Sequence, residues 1–135
     1  MKREAMKQLQ PADWKRPRGY SNGIAATGRF VFVSGMIGWD AQEKFVAQDF
    51  VGQVRQALQN VVLVLAEADA RPEHIVRMTW FVVDKNEYIN AYGQVGVVYR
   101  EIIGRHYPAM TAVQVVGLIE DQARVEIDVT AVVPG

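Results

Sequence analysis

The 135-residue sequence contains no cysteine. Disulfides, thiolate nucleophiles and cysteine-based zinc sites are therefore excluded, and the composition fits a reducing compartment. Net charge is also missing, because 15 Lys and Arg balance 15 Asp and Glu. A neutral domain has no general pull toward nucleic acid or an anionic membrane. No apolar run approaches the roughly 18 residues that a membrane span needs. None follows the basic cluster Lys2, Arg3, Lys7, Lys15, Arg16 and Arg18 either, so no secretory leader is expected. The expectation is a cytoplasmic protein without membrane or nucleic-acid partners. The only two histidines, His74 and His106, lack HxxxH spacing, which argues against a zinc site and against paired imidazoles for acid–base work. No glycine cluster has the spacing of a phosphate-binding loop, and no nucleophile elbow is present.

What is there reads as one domain spanning residues 1–135, long enough to bury a core without staples. Residues 1–19 carry Pro11, Pro17 and Gly19 and read as a flexible segment with room for one short strand, held to the body by Trp14. The runs Ile24–Thr27 and Phe30–Ser34 flank Gly28-Arg29 as a hairpin would. Phe30–Val33 shows no polar alternation, so that strand is expected to be covered on both faces. Asp49 is placed to cap a long helix. Phe50, Val54, Ala57, Leu58, Val61, Leu65 and Ala68 fall on one stripe and Gln53, Arg55, Gln56, Gln59 and Asn60 on the other side. Pro72 bars its continuation. Ile75–Asp84 alternates as a strand. A second helix, capped by Asn86, carries Tyr88, Tyr92, Val95, Tyr99 and Ile102 on its apolar face, with Gly104 as its terminator. Gly93 and Gly96 inside that helix signal close approach of a backbone or side chain.

The last quarter, Tyr107 to Val133, reads as two strands joined by a polar turn. In the second, Val125, Ile127, Val129 and Ala131 face one way and Arg124, Glu126, Asp128 and Thr130 the other. Glu126 is either a cleft carboxylate suited to general-base work or a surface group paired with Arg124 or a lysine. The order is β-β-α-β-α-β-β, an α+β domain with a mixed sheet and two helices on one face. The opposite face carries Phe32 or Val33, Phe81 and Val83, too apolar to face water alone, which points to a homo-oligomer.

With these elements in order, the chain resembles the YjgF/Rid (reactive intermediate deaminase) family, also called L-PSP endoribonuclease-like. The residues that carry the resemblance are Tyr20-Ser21-Asn22-Gly23, Phe30 to Ile37, Gln53 to Asn60, Val76 to Asp84 with its Phe81-Val82-Val83-Asp84 end, Tyr99, Pro108-Ala109 and Val125-Glu126-Ile127. The resemblance implies a chorismate-mutase-like fold and a homotrimer whose sheets form a central barrel. It also implies small-molecule clefts between subunits and hydrolysis of enamines or imines to a carbonyl compound and ammonia, without metal or organic cofactor. By the same resemblance Tyr20 stands at the cleft mouth, Ser34 and Gly35 line the pocket, and Glu126 positions or activates water. Two positions depart from the family pattern: its arginine after Pro-Ala is here Met110, and its asparagine three residues before Tyr99 is here Gly96.

A methionine cannot fork onto a carboxylate as a guanidinium does. Losing such a charge-assisted pair removes roughly 1.5–3 kcal/mol of binding. The departures therefore point away from small amino-acid imines and toward a larger, less anionic ligand. The sequence leaves open whether Arg105 or Arg124 compensates, and whether the chain is instead a non-catalytic binding or regulatory trimer, with a chaperone-like or RNA-acting role a weaker third reading.

Overall fold

A computed structural model describes residues 5–135. Strand β1 (Met6–Leu9) pairs antiparallel with β2 (Gly23–Ala26) as a two-stranded ribbon. The main sheet contains β3 (Arg29–Met36), β4 (Ile75–Val82), β5 (Ala109–Gln114) and β6 (Val125–Val133) in the order β3-β6-β4-β5. Only the β4–β5 pair is parallel, so the sheet is mixed. Helix α1 (Phe50–Glu67) and the pair α2 (Lys85–Asn90) and α3 (Tyr92–Ile102) follow β3 and β4. The α+β class and the mixed sheet with its helices on one face are as the sequence predicts.

Neither expected hairpin forms. β2 turns away to β1, and Gly28 at φ +146° redirects the chain into β3. A Cβ there would lie 2.9 Å from the Val133 carbonyl carbon, so the start of β3 and the end of β6 touch only because residue 28 lacks one. At the other end, β4 lies between β5 and β6, and residues 115–124 cross over it. Alternation reports which face a side chain takes, not which strand lies alongside.

The alternating faces themselves hold. Val125, Ile127, Val129 and Ala131 of β6 and Met78, Trp80 and Val82 of β4 are buried. They pack against Phe50, Val54, Ala57, Leu58, Val61 and Leu65 of α1 and Val95, Val98 and Tyr99 of α3. Each such large side chain contributes about 1.5–3 kcal/mol through burial. Asp49 caps α1, its Oδ2 accepting from Gly52 N–H at 3.0 Å. The helix ends before Pro72 matters. Asp69 adopts φ +54°, Ala70 N–H reaches Leu65 O at 3.0 Å and Asp69 N–H reaches Ala66 O at 3.1 Å, a Schellman termination. Pro72 instead opens a single 3₁₀ turn, Pro72–His74, leading into β4.

Three further expectations are corrected. Gln53, assigned to the outer side of α1, is buried in its inner face. The second helix is two, divided at Ala91 (φ −105°, ψ 9°), and its cap is Asp84, whose Oδ1 accepts from Asn86 and Glu87 N–H at 3.0 and 3.3 Å. Trp14 is exposed rather than packed down. Phe30 and Phe32 of β3 are 56% and 74% exposed in the single chain, so the face of the sheet away from the helices is open and apolar. Residues 1–19, expected as a flexible segment, include the paired strand β1, while residues 1–4 of that segment fall outside the described residues. No helix among the described residues is long and apolar enough to cross a membrane.

Candidate functional site

A cleft of about 660 Å³ opens between α2–α3, the β4–β5 edge of the sheet and the chain just before β2. Each wall follows from a local feature. Ser21 N–H donates to Pro108 O at 2.9 Å and its hydroxyl donates to Tyr107 O, which pins the incoming segment to the start of β5. With Gly19 in a positive-φ turn (φ +77°), this brings Arg18 and Tyr20 over the cleft. In the opposite wall Tyr88 stacks on Trp80 at 5.8 Å, and Tyr92 meets Tyr88 edge-on at 4.9 Å. At the base Tyr99 and Tyr107 stack at 5.6 Å. Met110 lies beside Met78 in the β4–β5 ladder and so points to the helix side, into the cleft.

Hydrogen bonds hold this base in place. The Tyr99 hydroxyl donates to His106 O at 2.6 Å and sits 3.9 Å from the Met78 sulfur. The His106 Nε2 lies 2.6 Å from Ile75 O. A carbonyl only accepts, so Nε2 carries the proton. Burial, and then the neighbouring Tyr107, push the Tyr99 hydroxyl far above the usual phenol range. Burial, and then Tyr92, raise that of Tyr88 to about 12. Both rings stay neutral at physiological pH.

The cleft unites three of the residues that the sequence singled out, Tyr20, Gly96 and Met110. Ser34, Gly35 and Glu126 do not line it. Glu126 stands opposite Phe81 in the β4–β6 ladder, one step out of phase with buried Trp80 and Val82, and therefore faces the open side of the sheet. Ser34 and Gly35 form a bulge between Val33 and Met36 of β3. A Cβ added at Gly35 would lie 2.6 Å from the Glu126 carboxyl carbon and 2.8 Å from its Cγ. The absence of a side chain at 35 is what lets the carboxylate lie against the bulge. Glu126 is half-buried, and no cation pairs with it among the described residues. The expected partner Arg124 is committed elsewhere, to Glu87 at 3.1 Å and to Gln48 O at 2.9 Å.

Sequence reasoning placed Tyr88 and Tyr92 on a helix's apolar face but missed their role as cleft wall, along with Trp80, Tyr107, Arg18 and Arg100. The available signal was chemical. Tyrosines on a stripe that a closed core would fill with aliphatics mark a half-wet surface. Arg18 and Arg100, not Arg105 or Arg124, are the arginines of the cleft. The lining contains no carboxylate, so within one chain the cleft can stack a planar group, offer neutral hydroxyl donors and attract an anion. It cannot move a proton by carboxylate.

Comparison with known proteins bears on the family and the fold. The model of the family described as Endoribonuclease L-PSP matches residues 14–133. A RutC family protein of Synechocystis is 35% identical over 132 residues, covering 96% of this chain and 98% of that protein. The 2-iminobutanoate/2-iminopropanoate deaminase of Salmonella typhimurium is 33% identical over 108 residues, covering 78% of this chain and 80% of that enzyme. Among solved structures, the Rid family protein YyfB of Yersinia pestis superposes with a TM-score of 0.85 at 25% identity, covering 96% of this chain and all of that one.

Proposed function

The chain belongs to the L-PSP endoribonuclease family, the YjgF/Rid group, and on that premise we propose that it binds and hydrolyses a reactive enamine or imine larger than the small amino-acid imines. The observation that carries the reading is the convergence of Tyr20, Gly96 and Met110 in one aromatic cleft. Met110 stands where the family pattern has a carboxylate-binding arginine, so the base of the cleft offers apolar contact instead of a fork.

The step requires water to add to the imine carbon. Glu126 takes one water proton as the C–O bond forms and delivers it to the nitrogen, and the carbinolamine then collapses with C–N cleavage as its hydroxyl proton passes through Glu126 to the departing ammonia. An imine and water thus become a carbonyl compound and ammonia. Ser34 and Tyr20 orient the ligand. No metal or organic cofactor enters this scheme.

Glu126 faces the open side of the sheet while the cleft opens on the helix side. On this reading the two halves meet between neighbouring copies in a homotrimer, each copy covering the exposed Phe30 and Phe32 of the next. The absence of a carboxylate from the cleft lining favours one alternative, a non-catalytic trimer that only binds its ligand.

The deciding measurement is ammonia release from a panel of imines generated in situ. Acceleration that disappears in Glu126→Gln supports hydrolysis. No acceleration with any imine favours the binding-only reading, and full activity in the variant removes Glu126 from the chemistry. Met110→Arg is expected to raise activity on 2-iminobutanoate, and no gain would show that the departure at 110 is not what sets substrate size.

A further inference from the structure

We propose that the ligand of this cleft is a carboxylate bearing an aromatic ring, the imino acid of an arylalkyl side chain, whose carboxylate is held by Arg100 lying across Gly96. The proposal deepens the reading of the cleft as the ligand site and names the class of molecule it takes.

Three observations converge. First, the walls are rings: Tyr20, Tyr88, Tyr92 and Tyr107, backed by the buried rings of Trp80 and Tyr99. Offset or edge-on contact with an aromatic guest adds to simple apolar burial on such walls, and about 660 Å³ lies well within the range for a guest larger than a four-carbon acid. Second, the only charged residues in the lining are Arg18 and Arg100. Arg55, Arg71 and Arg124 are each paired with a glutamate at 2.9, 3.0 and 3.1 Å. Among the described residues neither cleft arginine has a carboxylate partner, so an anion can be taken up without first breaking an ion pair.

Third, the glycine and the arginine fit one another. A Cβ at Gly96 would lie 3.3 Å from Arg100 Nη1 and 4.0 Å from both Cζ and Nη2, so its three nearest neighbours all belong to that guanidinium. The guanidinium of a residue one turn further along α3 therefore occupies the space that a side chain at 96 would contest. The two departures at 96 and 110 then work together. Met110 gives the ring an apolar, polarizable neighbour, and Gly96 lets Arg100 bring the positive charge to the other side of the cleft.

The test uses an inert probe, 3-phenylpropanoate, titrated calorimetrically into the full chain. Binding is expected, with butanoate and 3-phenylpropanol each about tenfold or more weaker. Arg100→Gln should weaken 3-phenylpropanoate by about tenfold or more and leave 3-phenylpropanol unchanged. Because Arg100 is exposed, the variant should fold, and Gly96→Ser, which crowds the guanidinium, should weaken the acid in the same direction. No binding of 3-phenylpropanoate, equal binding of the alcohol, equal binding of butanoate, or an Arg100→Gln protein with unchanged affinity would each overturn the proposal. The readout is separate from turnover. Tight, Arg100-dependent binding without ammonia release sustains this inference and removes hydrolysis. Hydrolysis confined to small aliphatic imines removes this inference and the larger-ligand reading, and keeps only the hydrolytic chemistry.

Discussion

Gln53 is the buried amide on which the position of β6 depends, and its removal should be costly. It is 1% exposed on the inner face of α1. Its Nε2 donates to Ala47 O at 3.2 Å and Gln122 O at 3.0 Å, while Oε1 accepts from Arg124 N–H at 2.7 Å. One side chain thus satisfies backbone groups in the segment before α1 and in the segment before β6. Gln53→Ala strands three of them. A buried orphan costs about 1–3 kcal/mol, with the higher figure reserved for groups that water cannot reach. Gln122 and Arg124 are exposed residues, so water can reach the two groups at that end, and the low end applies to them. With the lost packing, the expected cost is about 3 kcal/mol, a large share of the 5–15 kcal/mol typical of a domain. Urea unfolding at fixed protein concentration measures it, because the stability of an oligomer depends on concentration. Gln53→Met fills the volume without hydrogen bonds and should recover little of the loss. A cost below about 1 kcal/mol for the alanine variant, or near-complete recovery with methionine, would refute the hydrogen-bond account. Arg124 lies two residues before Glu126, so Gln53→Ala should also lower any Glu126-dependent activity.

Gly35→Ala should push the Glu126 carboxylate off the β3 bulge, since the new Cβ would lie 2.8 Å from its Cγ. Ammonia release should fall more than tenfold (about 1.4 kcal/mol of barrier), with the urea midpoint little changed because the residue is exposed in the chain. Alkaline stability should depend on Tyr88. Its phenol is neutral in the fold up to about pH 12 but ionises near 10 when unfolded, so its contribution is fully present below pH 10 and is lost as pH rises toward 12. With half-burial allowed for, Tyr88→Phe should remove at most about 2 kcal/mol of that decline between pH 10 and 12, seen as a shallower fall in urea midpoint.

The elements were legible where the signal is local. The Asp49 cap, the α1 stripe, the β6 alternation and the Gly104 terminator, which sits at φ +92°, each depend on residues within a turn or two. What escaped depends on distance in sequence. Pairing of β5 with β4 rather than β6 is decided by which edge β4 leaves free. Gln53 is inward because carbonyl and amide groups of residues 47, 122 and 124 surround it, and its residue type alone suggests solvent. Of the site, the family pattern points to Tyr20, Gly96 and Met110, and these three line one cleft. Arg100 was invisible because its meaning arises only when Gly96 is seen beneath it.

The sheet also makes the two halves of the site separable by experiment. Met110 on β5 and Glu126 on β6 are divided by β4, about 10 Å laterally at the usual strand spacing, and they face opposite sides. A carboxylate on one face cannot act on a ligand held on the other face of the same chain. If both halves serve one reaction, they do so across a subunit boundary, and two variants inactive for different reasons should rescue each other. Gly96→Phe is expected to fill the cleft, its Cβ meeting first the flexible end of Arg100. Glu126→Gln leaves the cleft intact. Each alone should be inactive. In trimers assembled at random from equal amounts of both, about a quarter of the boundaries pair an intact cleft with an intact Glu126. Activity should therefore return to about a quarter of that of the unmodified protein. Failure of the mixture to exceed either variant, when the unmodified protein is active, would place cleft and carboxylate in separate functions and remove Glu126 from the chemistry of the cleft.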